Sequence, residues 1–136
     1  VAGTIAVALA AALAWQLKDT SPNERPHRFF EEILRLTPES EVRRKVLIAS
    51  QTPSEVPIEQ VTKTLGNGSL VTAPDTVPFC VWMAAHHLGD FKKALAQAIC
   101  AGGDCDTNAA IVCGIVALSA GRHSIPIEWL NARERI

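Results

Sequence analysis

The chain has 136 residues, 48% of them hydrophobic, and a formal net charge of -1. That is enough apolar material for one packed core and too much for a disordered segment. Charges of both signs are scattered without a basic stripe, and there is no Tyr, which argues against nucleic acid as a partner.

The chain opens on VAGTIAVALAAALAWQL, Val1–Leu17. A membrane span needs about 20 apolar residues, and this stretch is shorter and dominated by Ala. It also lacks the Met and basic leader of a signal peptide. It reads as a helix, Ala2–Lys18, buried inside a larger all-helical protein, with no membrane partner. Turn chemistry in Asp19–Pro26 ends it. His27–Leu36 is amphipathic, with Phe30, Ile33 and Leu34 on one side. Thr37–Ser50 reads as a helix with Pro38 in its first turn, acids early and bases late. Thr52–Gly66 reads as a helix closed by Gly66, and Gly66–Ser69 as a tight loop. Pro74 and Pro78 disfavour α geometry before them, so Leu70–Val77 is expected to be extended or turned. Pro78–Leu88 then begins a mostly apolar helix. Gly89–Gly103 is the next, with Asp90 as its N-cap and Phe91, Leu95, Ala98 and Ile99 on one face. Ile125–Ile136 is the last, with Pro126 near its start. No strand pattern, internal repeat or linker interrupts this series, and the class is all-α, a helical bundle. The four cysteines, Cys80, Cys100, Cys105 and Cys113, form no CxxC pair. They read as free thiols of a reducing, cytoplasmic compartment.

The chemistry concentrates in AGGDCDTNAAIVCGIVALSAG, Ala101–Gly121. Asp106 reads as the N-cap of a helix over Thr107–Ala120, whose Ala110, Cys113, Ala117 and Ala120 share a face and which Gly121 ends. A second carboxylate two residues earlier, Asp104, adds like-charge repulsion and caps nothing obvious. Gly102 and Gly103 let the backbone turn, so that both carboxylates and the Thr107 hydroxyl can point to one spot. Three hard oxygens suit Mg²⁺ or a similar cation, which would also remove the repulsion. A glycine C-cap followed by an aspartate N-cap explains the same residues without a ligand, and pattern alone leaves both readings open. An EF-hand is excluded, for want of a third acidic ligand, the central Gly and the closing Glu.

GGDCDTNAAIVCGIVALSAG followed by IPIEWL resembles the C-terminal motif of the ADP-ribosylglycohydrolase family, which includes the dinitrogenase-reductase-activating glycohydrolases. Leu65–Trp82 and Ala2–Ala14 are similar to earlier segments of that family, in the same order. The resemblance implies an all-α fold with two Mg²⁺ ions in a central cleft, Mn²⁺ being an alternative. It also implies hydrolysis of the bond joining ADP-ribose to an acceptor, on an ADP-ribosylated protein or a small ADP-ribosyl substrate. It assigns Asp104, Asp106 and Thr107 as metal ligands and brings Asn67, Gly68, Ser69, Gly102, Gly103 and Asn108 forward as substrate contacts. The family's acidic Thr-Asp-Asp stretch, which supplies the other ligands, is not in this sequence. Residues 1–136 are therefore expected to be the C-terminal part of a single domain, carrying half of the site. Alone they should bind metal weakly and hydrolyse nothing; intact, the protein should be a monomer. A non-catalytic relative that binds ADP-ribose or a nucleotide, or serves a structural role, is the alternative.

Simpler readings stand beside these. Asn67, Gly68 and Ser69 form an ordinary turn or offer N–H groups to a phosphate. Asn108 is a ligand contact, or else solvated or capping. Cys105 stands where the family commonly has Thr and points away from the metals. Asp75 is a turn or cap residue. Phe79, Trp82 and Trp129 belong to packing, and His86 and His87 to a helix C-terminus.

Overall fold

The computed structural model describes residues 1–134. Among these are eight α-helices and one 3₁₀ turn, with no strand. The helices are α1 (Ala2–Gln16), α2 (Arg25–Leu36), α3 (Glu41–Ser50), α4 (Ile58–Leu65), α5 (Ala73–His86), α6 (Phe91–Cys100), α7 (Cys105–Ala120) and α8 (Ile127–Ala132).

Helix α5 is the axis of the bundle. Every side chain from Asp75 to Ala85 is buried, against α1, α3, α4 and α7 among others. A helix that is apolar on all sides belongs in a core. This packing corrects the expectation of an extended Leu70–Val77. Pro74 sits in the first turn, where its missing N–H is an orphan anyway. Pro78 lies inside the helix and removes one backbone bond. Burial of Phe79, Cys80, Val81, Trp82 and Met83 offsets that loss. The Trp82 indole N–H finds the Thr52 carbonyl at 2.8 Å, so its polar edge is satisfied inside the core.

The small-residue helix α1 packs on α7, α2 and α5 through Ala6, Ala10 and Ala14, all fully buried. Its opposite face leaves Val1, Thr4, Ala8, Ala12 and Trp15 exposed. No helix among the described residues is long and apolar enough to cross a membrane.

Other boundaries shift for local reasons. Helix α2 begins at Arg25, with Pro26 in its first turn, and buries Phe29 as well as Phe30 and Ile33. Helix α3 begins only at Glu41, because the Ser40 hydroxyl accepts the Arg43 N–H at 3.1 Å and caps it there. Pro38 therefore lies outside the helix. Helix α4 is shorter than expected, starting after Pro57. The Asp90 cap of α6 is as expected, accepting from the Lys93 N–H at 3.0 Å. Of the expected face of α6, Phe91 and Ala98 are buried and Ile99 is exposed. Helix α8 ends at Ala132; the expected end at Ile136 lies outside the described residues. Trp129 lies against Phe91, ring centroids 6.4 Å apart, and so packs α8 on α6.

Candidate metal centre

Helix α7 presents its N-terminus to the loop between α4 and α5, and all the candidate residues gather at that junction. The cap is Asp104, not Asp106. The Asp104 Oδ1 accepts the Thr107 N–H at 3.3 Å, and the helix starts at Cys105. The two glycines explain the difference. Both have positive φ, +68° at Gly102 and +70° at Gly103. They bring the chain round early enough for Asp104 to reach the orphan N–H groups, which leaves Asp106 inside the first turn. The carboxylate to which the sequence gives no role is the cap, and Asp106 stands beside it in the first turn.

The buried face of α7 also differs from the expected row of Ala110, Cys113, Ala117 and Ala120. It consists of Asn108, Val112, Ile115 and Val116, and Ala110 is exposed. Branched apolar side chains bury more area per residue than Ala and take the core side. Asn108 heads that stripe and is neither solvated nor a cap.

Two stretches far apart in sequence meet here. The Asn67 carbonyl accepts the Asp104 N–H at 3.0 Å and the Asn108 Nδ2–H at 2.7 Å. A Cβ on Gly103 would lie 2.6 Å from the Asn67 Oδ1, and one on Gly68 would lie 2.8 Å from the Asp104 Cβ. Asn67, Gly68, Gly103, Asp104 and Asn108 thus form one packed unit. Gly102 lies at its edge, with no neighbour for a Cβ within 4 Å. Ser69 is exposed and bonds through its hydroxyl to the Asn67 Oδ1 at 2.7 Å.

The loop's N–H groups are largely spoken for. Gly68 N–H donates to the Asp75 carbonyl at 3.1 Å, Ser69 N–H to the Asn67 Oδ1 at 3.3 Å and Leu70 N–H to the Asp75 Oδ2 at 2.8 Å. Asp75 is the residue that a reading by pattern undervalues: buried in the first turn of α5, it holds the loop through backbone and side chain together. A signal for it exists in the sequence. Thr72 and Asp75 have the spacing of a capping box, although the carboxylate reaches back beyond the cap to Leu70. The loop's outer tip, Leu70 and Val71, is exposed, and Val71 adopts a positive φ of 54°.

Electrostatically the turn favours anionic oxygens. The Asp104 pKa is lowered first by the Thr107 hydroxyl, which donates to it, then by its contact with the Asp106 side chain, where any proton the two carboxyl groups share sits on Asp106, and last by the Thr107 N–H, against a partial desolvation. Beneath it, burial and then the Asp104 charge push the Cys80 thiol up to about 12. Cys80 therefore stays protonated and donates to the Asn108 Oδ1 at 3.5 Å. Cys105 turns away and donates to the Ile99 carbonyl at 3.5 Å. All four cysteines are free.

The donor set of Asp104, Asp106 and Thr107 consists of hard oxygens. Asp106 and Thr107 are exposed and Asp104 is half-buried. Mg²⁺ keeps several waters and takes one or two protein carboxylates, so these residues fit one side of such a site. The helix N-terminus carries about half a positive charge and opposes a cation; two carboxylates outweigh it. Among the described residues no group of three or more His, Cys, Asp or Glu side chains converges to enclose a metal. His86 and His87 lie outside this junction. His86 packs on Trp82 and Phe30, with ring centroids 5.0 and 6.3 Å away.

A profile of the family described as ADP-ribosylglycohydrolase matches residues 1–135. An uncharacterised protein of Archaeoglobus fulgidus is 34% identical over 129 residues, which cover 93% of this chain and 39% of the relative. The chain thus spans about two fifths of the length of the curated relative that it matches. No solved structure matches the chain.

Proposed function

The chain belongs to the ADP-ribosylglycohydrolase family, and on that footing we propose that its α7 turn is one side of a Mg²⁺-assisted site that hydrolyses the bond between ADP-ribose and an acceptor. The observation that supports this reading is the placement of Asp104, Asp106 and Thr107 in and beside the first turn of α7, held against the Asn67 loop. The Asp104 and Asp106 carboxylates and the exposed Thr107 hydroxyl stand side by side, and a cation would replace the contacts they make with one another. When bound, Mg²⁺ or Mn²⁺ supplies charge stabilisation and a template for oxygens of the substrate. Hydrogen bonding, first from the Thr107 hydroxyl, lowers the Asp104 pKa and favours its charged form. The Asn67 loop forms the adjoining wall, where the sugar or phosphates of an ADP-ribosyl group would lie. The substrate is an ADP-ribosylated protein or a small ADP-ribosyl compound, handled in the cytoplasm by a monomer.

The test uses the protein that carries this chain. Asp104→Asn and Asp106→Asn should each abolish most Mg²⁺-dependent release of ADP-ribose while leaving the far-UV circular dichroism unchanged. Wild-type turnover in both variants would remove the assignment. The alternative is a cleft that binds ADP-ribose without cleaving it. Binding of ADP-ribose with no hydrolysis at saturating Mg²⁺ would select it.

A further inference from the structure

Asn108 is the only polar side chain among the described residues with an exposure of 0%. It stands at the head of the stripe formed by Val112, Ile115 and Val116, where an apolar residue would continue the pattern. A buried amide is costly unless its groups are paired, and here both ends are. Nδ2 donates to the Asn67 carbonyl and Oδ1 accepts the Cys80 thiol. A protonated thiol beside Oδ1 and a carbonyl beside Nδ2 allow only this orientation of the amide. The Asn67 carbonyl in turn receives the Asp104 N–H, so both of its lone pairs are occupied. One carbonyl, oriented by Asn108, therefore sets where the Asp104 backbone sits.

We infer that Asn108 is a positioning residue: its amide fixes the Asn67 carbonyl, which holds Asp104 at the distance from the helix where its carboxylate faces the metal side of the turn. This rests on the metal reading proposed above. Asn108 touches no metal itself. Removing its amide leaves the Asn67 loop tied to the turn by the Asp104 N–H alone, and both stretches gain freedom. Groups that orient metal ligands from behind typically contribute 10–100-fold in affinity.

The experiment titrates Mn²⁺ into the whole protein that carries this chain by electron paramagnetic resonance, at a temperature where circular dichroism shows every variant folded. Asn108→Ala should weaken Mn²⁺ binding about tenfold or more. Asn108→Ser, which keeps a polar side chain too short to span to Asn67, should do the same and serves if the Ala variant does not fold. Val112→Ala, one turn further along the buried stripe, controls for loosening of α7. It should lower the melting temperature and leave Mn²⁺ affinity at the wild-type value. Wild-type affinity in either folded Asn108 variant, or an equal loss in Val112→Ala, would overturn the inference. Asp104→Asn separates the two claims: if it binds Mn²⁺ like wild type, the metal reading itself has failed and the role of Asn108 falls with it.

Discussion

Gly102 and Gly103 provide a paired test of the junction between the loop and the α7 turn. Both have nearly the same positive φ, so replacing either by Ala incurs the left-handed penalty of about 1–2 kcal/mol. There the similarity ends. A Cβ at Gly102 meets nothing within 4 Å, whereas at Gly103 it would lie 2.6 Å from the Asn67 Oδ1 and against the Asn67 carbonyl. Ordinary contact begins near 3.4 Å, so Asn67 must retreat by most of an ångström or more. That movement breaks or stretches the two hydrogen bonds on its carbonyl, from Asp104 N–H and Asn108 Nδ2. Each contributes about 1 kcal/mol net, and a buried donor left without a partner costs about 1–3 kcal/mol. Gly102→Ala should therefore cost about 1–2 kcal/mol and Gly103→Ala about 3–4 kcal/mol. At roughly 4 °C per kcal/mol for a chain of this size, the melting temperature should drop by about 4–8 °C and about 12–16 °C. Thermal and urea melts followed by circular dichroism measure both. Equal losses in the two variants would refute the claim that the Asn67 contact, rather than backbone conformation alone, makes Gly103 necessary.

Two further outcomes follow from other parts of the structure. Asp75→Ala removes the acceptor of the Leu70 N–H; it should lower stability by about 1.5–3 kcal/mol and speed protease cleavage at the exposed Leu70–Val71 tip, and an unchanged cleavage rate would show that Asp75 does not hold the loop. Burial lowers the pKa of both His86 and His87 below 6.5, with their neighbours as smaller influences. The unfolded chain then binds more protons than the folded one as pH drops through 6.5, so stability is full above that pH and declines below it. The urea midpoint should fall between pH 7.5 and 5.5, and His86→Phe should flatten the slope; a midpoint independent of pH in that window would count against burial as the cause.

What could be read from the order of residues was local. Apolar spacing, capping residues and the absence of alternation were enough for an all-helical class. Asp90 before α6 and the small-residue face of α1 were equally legible, because a cap and a packing stripe lie within a few residues of one another. The oxygen-rich stretch at Asp104, Asp106 and Thr107 stood out for the same reason. Where competing local rules met, long-range packing chose between them. Pro74 and Pro78 argue for a break by their own sterics, yet α5 runs through both because burial of its whole circumference outweighs one missing hydrogen bond. Either aspartate could have capped α7, and the turn at Gly102–Gly103, braced by Asn67, gave that place to Asp104. The holding roles of Asn108 and Asp75 were not legible in sequence, where one reads as a ligand contact and the other as a turn or cap residue, since their partners lie on other elements or beyond the cap. Short-range spacing names the groups that can do chemistry; hydrogen bonds between distant segments determine which of them are spent on holding the chain and which remain free to act.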